Sequence, residues 1–357
     1  VQGYARGRFT TGPLSHRIAA FTTYGEGGFD LVSPVVSFNV ASNLYNPVRV
    51  PDPGTRPGTA VRRNFIDRQR AGYALADEIG ILDDRVVATL GVRHTRLWNL
   101  SNNTITGVRS RFEGSETTPI LGLLFRPLPW LSVFGNYVET LEFGQVAPSS
   151  AANRDTPTEP FKSRQYEAGI KVERGTLGAT LAVFDIARQS AFTDPATNIF
   201  AANGQQVHQG VELLGYGELR PGIRLLGGVT YIDPVLTRTA GGTFDGNQAP
   251  DVPNWRAAAS ADVEFGETFG ILPGVSAYAS LAHSGPFYLD AANRQKVDGY
   301  TLLDLGAAYR TMIGQQAVTA RLSVENVTDE QYWIGARNGS LGLGTPRTFL
   351  LSTSLRL

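Results

Sequence analysis

Hydrophobic and polar residues alternate with period two along most of this chain. In the last run, residues 347–357, Phe349, Leu351, Leu355 and Leu357 share one parity, broken only by Thr353. Thr348, Ser352, Ser354 and Arg356 share the other, with Leu350 the exception. Val318, Ala320, Leu322 and Val324 alternate in the same way with Thr319, Arg321, Ser323 and Glu325. Further upstream, Gln165, Glu167, Lys171 and Glu173 oppose Tyr166, Ala168, Ile170 and Val172. Successive side chains of a β-strand point to opposite faces, so each run has one apolar and one polar face. Residues 207–218 fit less well, because Leu214 and Tyr216 share the parity of His208 and Glu212.

The pattern predicts fifteen strands, at 2–9, 14–24, 68–79, 85–97, 117–126, 130–138, 164–173, 177–187, 207–218, 223–232, 255–265, 275–283, 299–310, 317–325 and 348–357. Many are about ten residues long, the span a tilted strand needs to cross a bilayer, whereas sandwich strands are commonly nearer five or six. The connections sort by parity. Short ones (10–13, 80–84, 127–129, 174–176, 219–222, 311–316, and a medium-length 266–274) alternate with long ones (25–67, 98–116, 139–163, 188–206, 233–254, 284–298, 326–347). A soluble sandwich has no reason to sort its connections in this way. A transmembrane barrel does, with tight periplasmic turns and long extracellular loops. The expected fold class is therefore all-β, an antiparallel transmembrane β-barrel whose apolar face meets lipid.

Composition adds exclusions. Lys+Arg and Asp+Glu are each 32, which gives no electrostatic case for nucleic acid. No uncharged apolar run of about 18 residues exists, so no spanning helix is expected. The 40 Gly and 13 Tyr suit a barrel, and the absence of Cys excludes disulfides and thiolate metal sites. His16, His94, His208 and His283 stand at no metal-ligand spacing. Asp77/Glu78 and Asp83/Asp84 read as solvated turn residues. No G-x-S-x-G occurs at a strand-to-helix turn, and no Ser–His pair suggests a barrel lipase. The glycine-rich 339–344 lacks the helix and Lys-Ser/Thr of a phosphate cradle.

Three C-terminal stretches, GYTLLDLGAAYR (299–310), LSVENVTDEQYW (322–333) and RTFLLSTSLRL (347–357), resemble the end of TonB-dependent outer-membrane receptors. Within that family they are most similar to siderophore receptors. Residues 163–188, 208–233 and 246–265 agree in order and spacing, so the resemblance covers roughly 65–357. It implies that fifteen strands are the C-terminal part of a barrel of about 22 strands. Residues 1–357 would then be a partial barrel domain, without the N-terminal plug domain and without a signal peptide. It further implies a non-enzymatic outer-membrane receptor for ferric siderophore uptake, energised by TonB-ExbB-ExbD through the plug. Such a receptor is expected to be monomeric in the lipid bilayer. No resident cofactor is implied, because iron arrives already chelated. Receptors for cobalamin, haem or carbohydrate, a passive porin, and a soluble β-protein remain alternatives at this point. The position of a haem-type FRAP block holds ETLEFG (139–144), which does not match. Given the resemblance, aromatic and basic residues of the long loops are the candidate ligand contacts: Tyr45, Arg49, Trp98, Arg109, Arg111, Phe143, Phe192, Phe287, Tyr288, Arg294, Trp333 and Arg337. Asn326, Asp329 and Tyr332 are expected to order the last loop. Leu357 stands where outer-membrane proteins commonly end in an aromatic, a departure that bears on assembly.

Overall fold

A computed structural model of the chain describes residues 1–33, 61–103, 107, 109–336 and 340–356. Tyr45, Arg49, Arg337 and Leu357 lie outside the described residues. The strands are β1 (Gln2–Thr11), β2 (Leu14–Ser33), β3 (Val61–Ile81), β4 (Val86–Asn103), β5 (Arg109–Leu128), β6 (Leu131–Glu142), β7 (Phe161–Arg174), β8 (Leu177–Thr193), β9 (Phe200–Arg220) and β10 (Ile223–Arg238). They continue as β11 (Trp255–Glu264), β12 (Val275–Ser284), β13 (Phe287–Tyr288), β14 (Lys296–Val297), β15 (Tyr300–Ile313), β16 (Gln316–Glu325), β17 (Trp333–Ala336), β18 (Ser340–Leu343) and β19 (Thr348–Arg356). Fifteen of them form one sheet in strict sequence order, from β1 to β12 and on through β15, β16 and β19. The remaining four form two small hairpins, β13–β14 and β17–β18, inside the long loops.

All fifteen expected strands are present, but several are taller than their alternation indicated. β5 spans 20 residues where residues 117–126 were expected, and β3 spans 21. The extra length lies at the long-loop end. There the outer face carries charged residues and the inner face is covered by polar loop contacts, so the apolar alternation that marks a half-buried strand is lost. The medium-length turn contains a one-turn helix, Phe265–Phe269, closed by Gly270 in the left-handed conformation.

The register carries one apolar face through the whole sheet, because residues directly opposite each other share a face. Trp255 pairs with Tyr231, Tyr231 with Val211, Val211 with Val183 and Val183 with Ala168. At the other end Leu322 pairs with both Ala307 and Leu351. These side chains are exposed: Leu90 52%, Leu123 56%, Val183 51%, Leu351 79%. Tyr73, Tyr137, Tyr166, Tyr231 and Trp255 form a row on this face toward the long loops. The rings of Tyr137 and Tyr166 lie 4.7 Å apart, and those of Tyr231 and Trp255 4.9 Å apart. Phe9, Phe125 and Tyr309 mark a second row near the short turns. Tyr166 stands eight positions from Arg174 at its turn. At about 3.3 Å per residue and a tilt of about 40°, that is roughly 20 Å, close to the apolar band of an outer-membrane barrel.

The polar face explains part of the glycine content. Gly169, Gly178, Gly210 and Gly306 stand on it, and a Cβ at any of them would collide with the ring of Phe134, Tyr216, Phe184 or Tyr278 respectively. Each ring occupies the space a Cβ on its neighbour would take, a fit that favours this register. Tyr216, whose parity looked anomalous, is accommodated in this way, and its hydroxyl donates to Glu173 at 3.1 Å. Gly12, at φ 57°, makes the tight β1–β2 turn.

Candidate functional site

The long-loop end of the polar face holds a cavity of about 490 Å³, lined in part by Gly25, Gly27, Arg68, Arg70 and Phe143. β3 supplies Arg68 and Arg70 on the parity of Glu78, and β2 faces them with Gly25 and Gly27. A Cβ at Gly25 or Gly27 would meet nothing within 4 Å, so these glycines leave one wall open. Phe143, just past β6, lies with its ring centroid 5.3 Å from the Arg68 guanidinium and 5.8 Å from that of Arg70. Arg70 also donates from Nη2 to the Leu141 carbonyl at 3.0 Å, which anchors it. Beside them Glu142 accepts from Arg188 Nη2 at 2.8 Å and from Ser163 Oγ at 2.8 Å. Asn99 on β4, 3% exposed, pairs in register with Arg68, and neither its amide nitrogen nor its oxygen has a hydrogen-bond partner. The arrangement offers two cations, an aromatic ring and an open volume, suited to an anionic or polarised ligand.

A second cluster lies in the loops above β10, β12 and β16. Asn247 donates to the Ala291 carbonyl at 2.8 Å, and Gln248 and Asn293 exchange hydrogen bonds of 2.8 and 2.9 Å. Phe287 is 5% exposed, and at Gly335 a Cβ would come 3.0 Å from its ring and 2.8 Å from Asp251 Oδ1. The β17–β18 hairpin, which carries Trp333, thus leans on Phe287. Asp251 Oδ1 is buried without a partner, and burial pushes its carboxyl above the usual range. Asn326 orders the last loop, donating from Nδ2 to the carbonyls of Glu330 (2.9 Å) and Thr345 (3.0 Å). Asp329 accepts from the Arg347 backbone N–H and guanidinium, at 3.1 Å each, which holds its carboxyl below the usual range. The rings of Tyr300 and Tyr332 pack at a 34° tilt, with centroids 4.2 Å apart.

The twelve candidate contacts therefore separate. Phe143 lines the cavity. Phe287 and Tyr288 belong to the second cluster, Trp333 stands on the β17–β18 hairpin that leans on it, and Arg294 is exposed beside it, its backbone N–H bonded to Asp290 Oδ1 at 3.0 Å. Phe192 is half-buried at the top of β8. Trp98, Arg109 and Arg111 lie on the apolar-face parity, outside the wall. Arg68 and Arg70 were missed because strand alternation claimed residue 68 onward. Their cation–cation spacing of two, on one face opposite two glycines, was the available signal.

Among the described residues, the apolar band between the aromatic rows carries one carboxylate, Asp77. It belongs to strand β3, not to a turn. Asp77 Oδ2 lies 2.7 Å from His16 Nδ1, and His16 Nε2 lies 2.6 Å from Thr11 Oγ1. The imidazole stacks on Phe9 at 4.6 Å. A hydroxyl–imidazole–carboxylate relay thus exists on the outer face, with a threonine where a serine was sought. Its evident physical effect is to give a hydrogen-bond partner to a carboxyl group that would otherwise face lipid alone.

A sheet with one continuous lipid-matched face, tight turns at one end and a ligand-sized cavity at the other defines an outer-membrane β-barrel of the receptor type. The chain belongs to the TonB-dependent receptor family: the profile "TonB dependent receptor-like, beta-barrel" matches residues 2–327. It is 31% identical to the ferrichrome receptor FcuA of Yersinia enterocolitica, over 99% of this chain and 47% of that protein. It is 26% identical to the ferrioxamine B receptor of Salmonella typhimurium, over 91% of this chain and 45% of that protein. The ferric preacinetobactin receptor BauA of Acinetobacter baumannii superposes with a TM-score of 0.83 at 33% identity, covering 99% of this chain and 53% of BauA. The chain spans about half the length of the relatives it matches. The protein is located in the outer membrane.

Proposed function

We propose that this chain is the barrel portion of a longer, monomeric receptor that takes up a ferric siderophore across the outer membrane. Energy reaches it from TonB, ExbB and ExbD through a plug domain. The observation that carries the reading is the cavity at the extracellular end, where Phe143 faces the guanidinium groups of Arg68 and Arg70. A ferric chelate presents both apolar surface and anionic oxygens, and this lining matches both. The names of the relatives, ferrichrome, ferrioxamine B and preacinetobactin receptors, support the substrate class. Phe192, Phe287, Tyr288, Arg294 and Trp333, with Tyr45, Arg49 and Arg337, are proposed to complete the contact surface as the loops close. Trp98, Arg109 and Arg111 are left out of that set, because their strand parity puts them on the other side of the wall. In this reading the chain itself catalyses no reaction.

The test is a fluorescence titration of the intact receptor with ferric hydroxamate, ferric catecholate, cobalamin and haem. One ferric chelate is expected to quench saturably, and Phe143→Ala to weaken it about 5- to 30-fold, the effect of losing roughly 1–2 kcal/mol of apolar contact between its ring and the chelate. Saturable quenching by cobalamin or haem alone would overturn the proposal.

A further inference from the structure

The chain Thr11–His16–Asp77 on the lipid face is more ordered than a carboxyl group facing lipid requires. Asp77 Oδ2 accepts the Nδ1–H of His16 at 2.7 Å, which leaves Nε2 as an acceptor. Thr11 Oγ1 donates to that Nε2 at 2.6 Å. Thr11 is exposed beside the β1–β2 turn, where water would satisfy a hydroxyl, so burial does not account for its bond to His16. His94 and His283 supply the comparison. Each also bonds a threonine of the next strand on the outer parity, Thr117 at 2.9 Å and Thr301 at 2.8 Å. There the threonine sits on Nδ1, and no carboxyl group reaches the other nitrogen. Among the described residues, only His16 is held by a carboxyl group at one nitrogen and by a hydroxyl at the other.

A hydroxyl is a weak nucleophile until an adjacent base takes its proton, and a third group orients that base. The side chains of His16 and Asp77 are only 12% and 26% exposed, and the imidazole lies within 5° of parallel to the Phe9 ring. The base is therefore shielded and fixed, while the hydroxyl is open. Gly12 follows Thr11 at φ 57°, and a Cβ there would meet nothing within 4 Å, so a reactant has room beside the hydroxyl. The Gly12 N–H makes no backbone hydrogen bond among the described residues and is available to an oxyanion, as the N–H after the nucleophile is in many hydrolases. Thr11 lies two residues beyond Phe9 of the lower aromatic row, about 5 Å below it at 3.3 Å per residue and a tilt of about 40°. At that depth, between apolar band and water, lie the ester carbonyls of the glycerophospholipids in the periplasmic leaflet.

We propose that Thr11, His16 and Asp77 form a hydrolytic site on the outer face of β1–β3 that cleaves a carboxylic ester of a membrane glycerophospholipid. His16 Nε2 takes the hydroxyl proton as Thr11 Oγ1 bonds to the ester carbonyl carbon. The tetrahedral oxyanion collapses, the bond from that carbon to the glycerol oxygen breaks, and the glycerol oxygen leaves with the proton from His16. Water then adds to the acyl-threonine ester with the same base, which releases the fatty acid and restores Thr11. Asp77 is a positioning residue that holds the imidazole. This site lies on the lipid side of the wall and the chelate cavity on the lumen side, so the activity is separate from uptake and independent of that reading.

The test is fatty-acid release from phosphatidylethanolamine in mixed micelles by the intact receptor, purified from cells that lack outer-membrane phospholipase. Variants are Thr11→Val, Thr11→Ser, His16→Gln and Asp77→Asn, with Thr117→Val and Thr301→Val as controls at the other two histidines. Heat-modifiable gel mobility reports that each variant is folded. Release is expected from the wild type, Thr11→Ser and both controls, and none from Thr11→Val. His16→Gln should lose at least about 100-fold. Asp77→Asn should lower kcat by at least about tenfold with KM unchanged. A dialkyl fluorophosphonate should label the peptide that carries Thr11 in the wild type and not in His16→Gln, a readout that a purely structural hydrogen bond would not move. Wild-type release no faster than that of Thr11→Val, a label on another residue, or full activity in His16→Gln would each overturn the proposal.

Discussion

Leu90 and Thr89 are sequence neighbours on opposite faces of β4, near the middle of the apolar band. Leu90 pairs with Asp77 on β3 and Leu121 on β5, and is 52% exposed. If that exposed face met water, Leu90→Arg would be a surface substitution and shift stability by no more than about 0.5 kcal/mol. If it meets lipid, an arginine at mid-membrane costs about 2–4 kcal/mol, a factor of roughly 30 to 1000 in the folding equilibrium. Thr89→Arg, one position away, would point into the polar lumen and cost little in either case. The assay is urea unfolding of the intact receptor in lipid vesicles, followed by tryptophan fluorescence, comparing midpoints at constant slope. A lowered midpoint for Leu90→Arg with an unchanged one for Thr89→Arg is expected. Equal midpoints for the two, or the reverse order, would refute the assignment of faces.

Three further expectations follow from the same geometry. His16→Phe leaves the Asp77 carboxyl without its hydrogen-bond partner against lipid and should lower the unfolding midpoint, whereas His16→Phe with Asp77→Leu should restore or exceed it, since an apolar pair replaces a desolvated polar pair; a single substitution as benign as the double one contradicts this. Asp251 has a raised carboxyl pKa, so the stability linked to it is present below the unfolded carboxylate range and is lost as pH rises through the raised value. Backbone hydrogen exchange at residues 247–251 and 285–297 should therefore be slower in mild acid than at neutral pH, and Asp251→Asn should abolish the difference. Asp84 has the opposite sign: the Ser15 hydroxyl and Arg17 hold its carboxyl low, so the β3–β4 turn should loosen as pH falls through that lowered range, and Asp84→Asn should exchange equally fast at either pH.

The strand order was legible because alternation and connection length agree, from Gln2–Thr11 to Thr348–Arg356. The faces were legible wherever one side is dry: Leu322 and Leu351 fall opposite each other as their parity requires. What alternation could not reveal lies beyond the band. Residues 109–116 of β5 carry charges at 109, 111, 113 and 116 with Phe112 their one large apolar residue, so they read as loop although they are strand. The same blindness put Trp98, Arg109 and Arg111 among loop contacts and hid Arg68 and Arg70, because which side of a wall a residue occupies depends on register with neighbouring strands. The Asp77–His16 pair was invisible for another reason. The two residues are 61 positions apart and meet only when β2 and β3 zip together.

The most direct measurement of the proposed role is accumulation of radiolabelled ferric siderophore by cells that express the intact receptor as their only route for that chelate. Uptake is predicted to saturate, to fall several-fold with Phe143→Ala, and to stop when an uncoupler collapses the inner-membrane proton gradient. Unsaturable entry at the same rate with or without the uncoupler would make the barrel a passive pore and contradict the account.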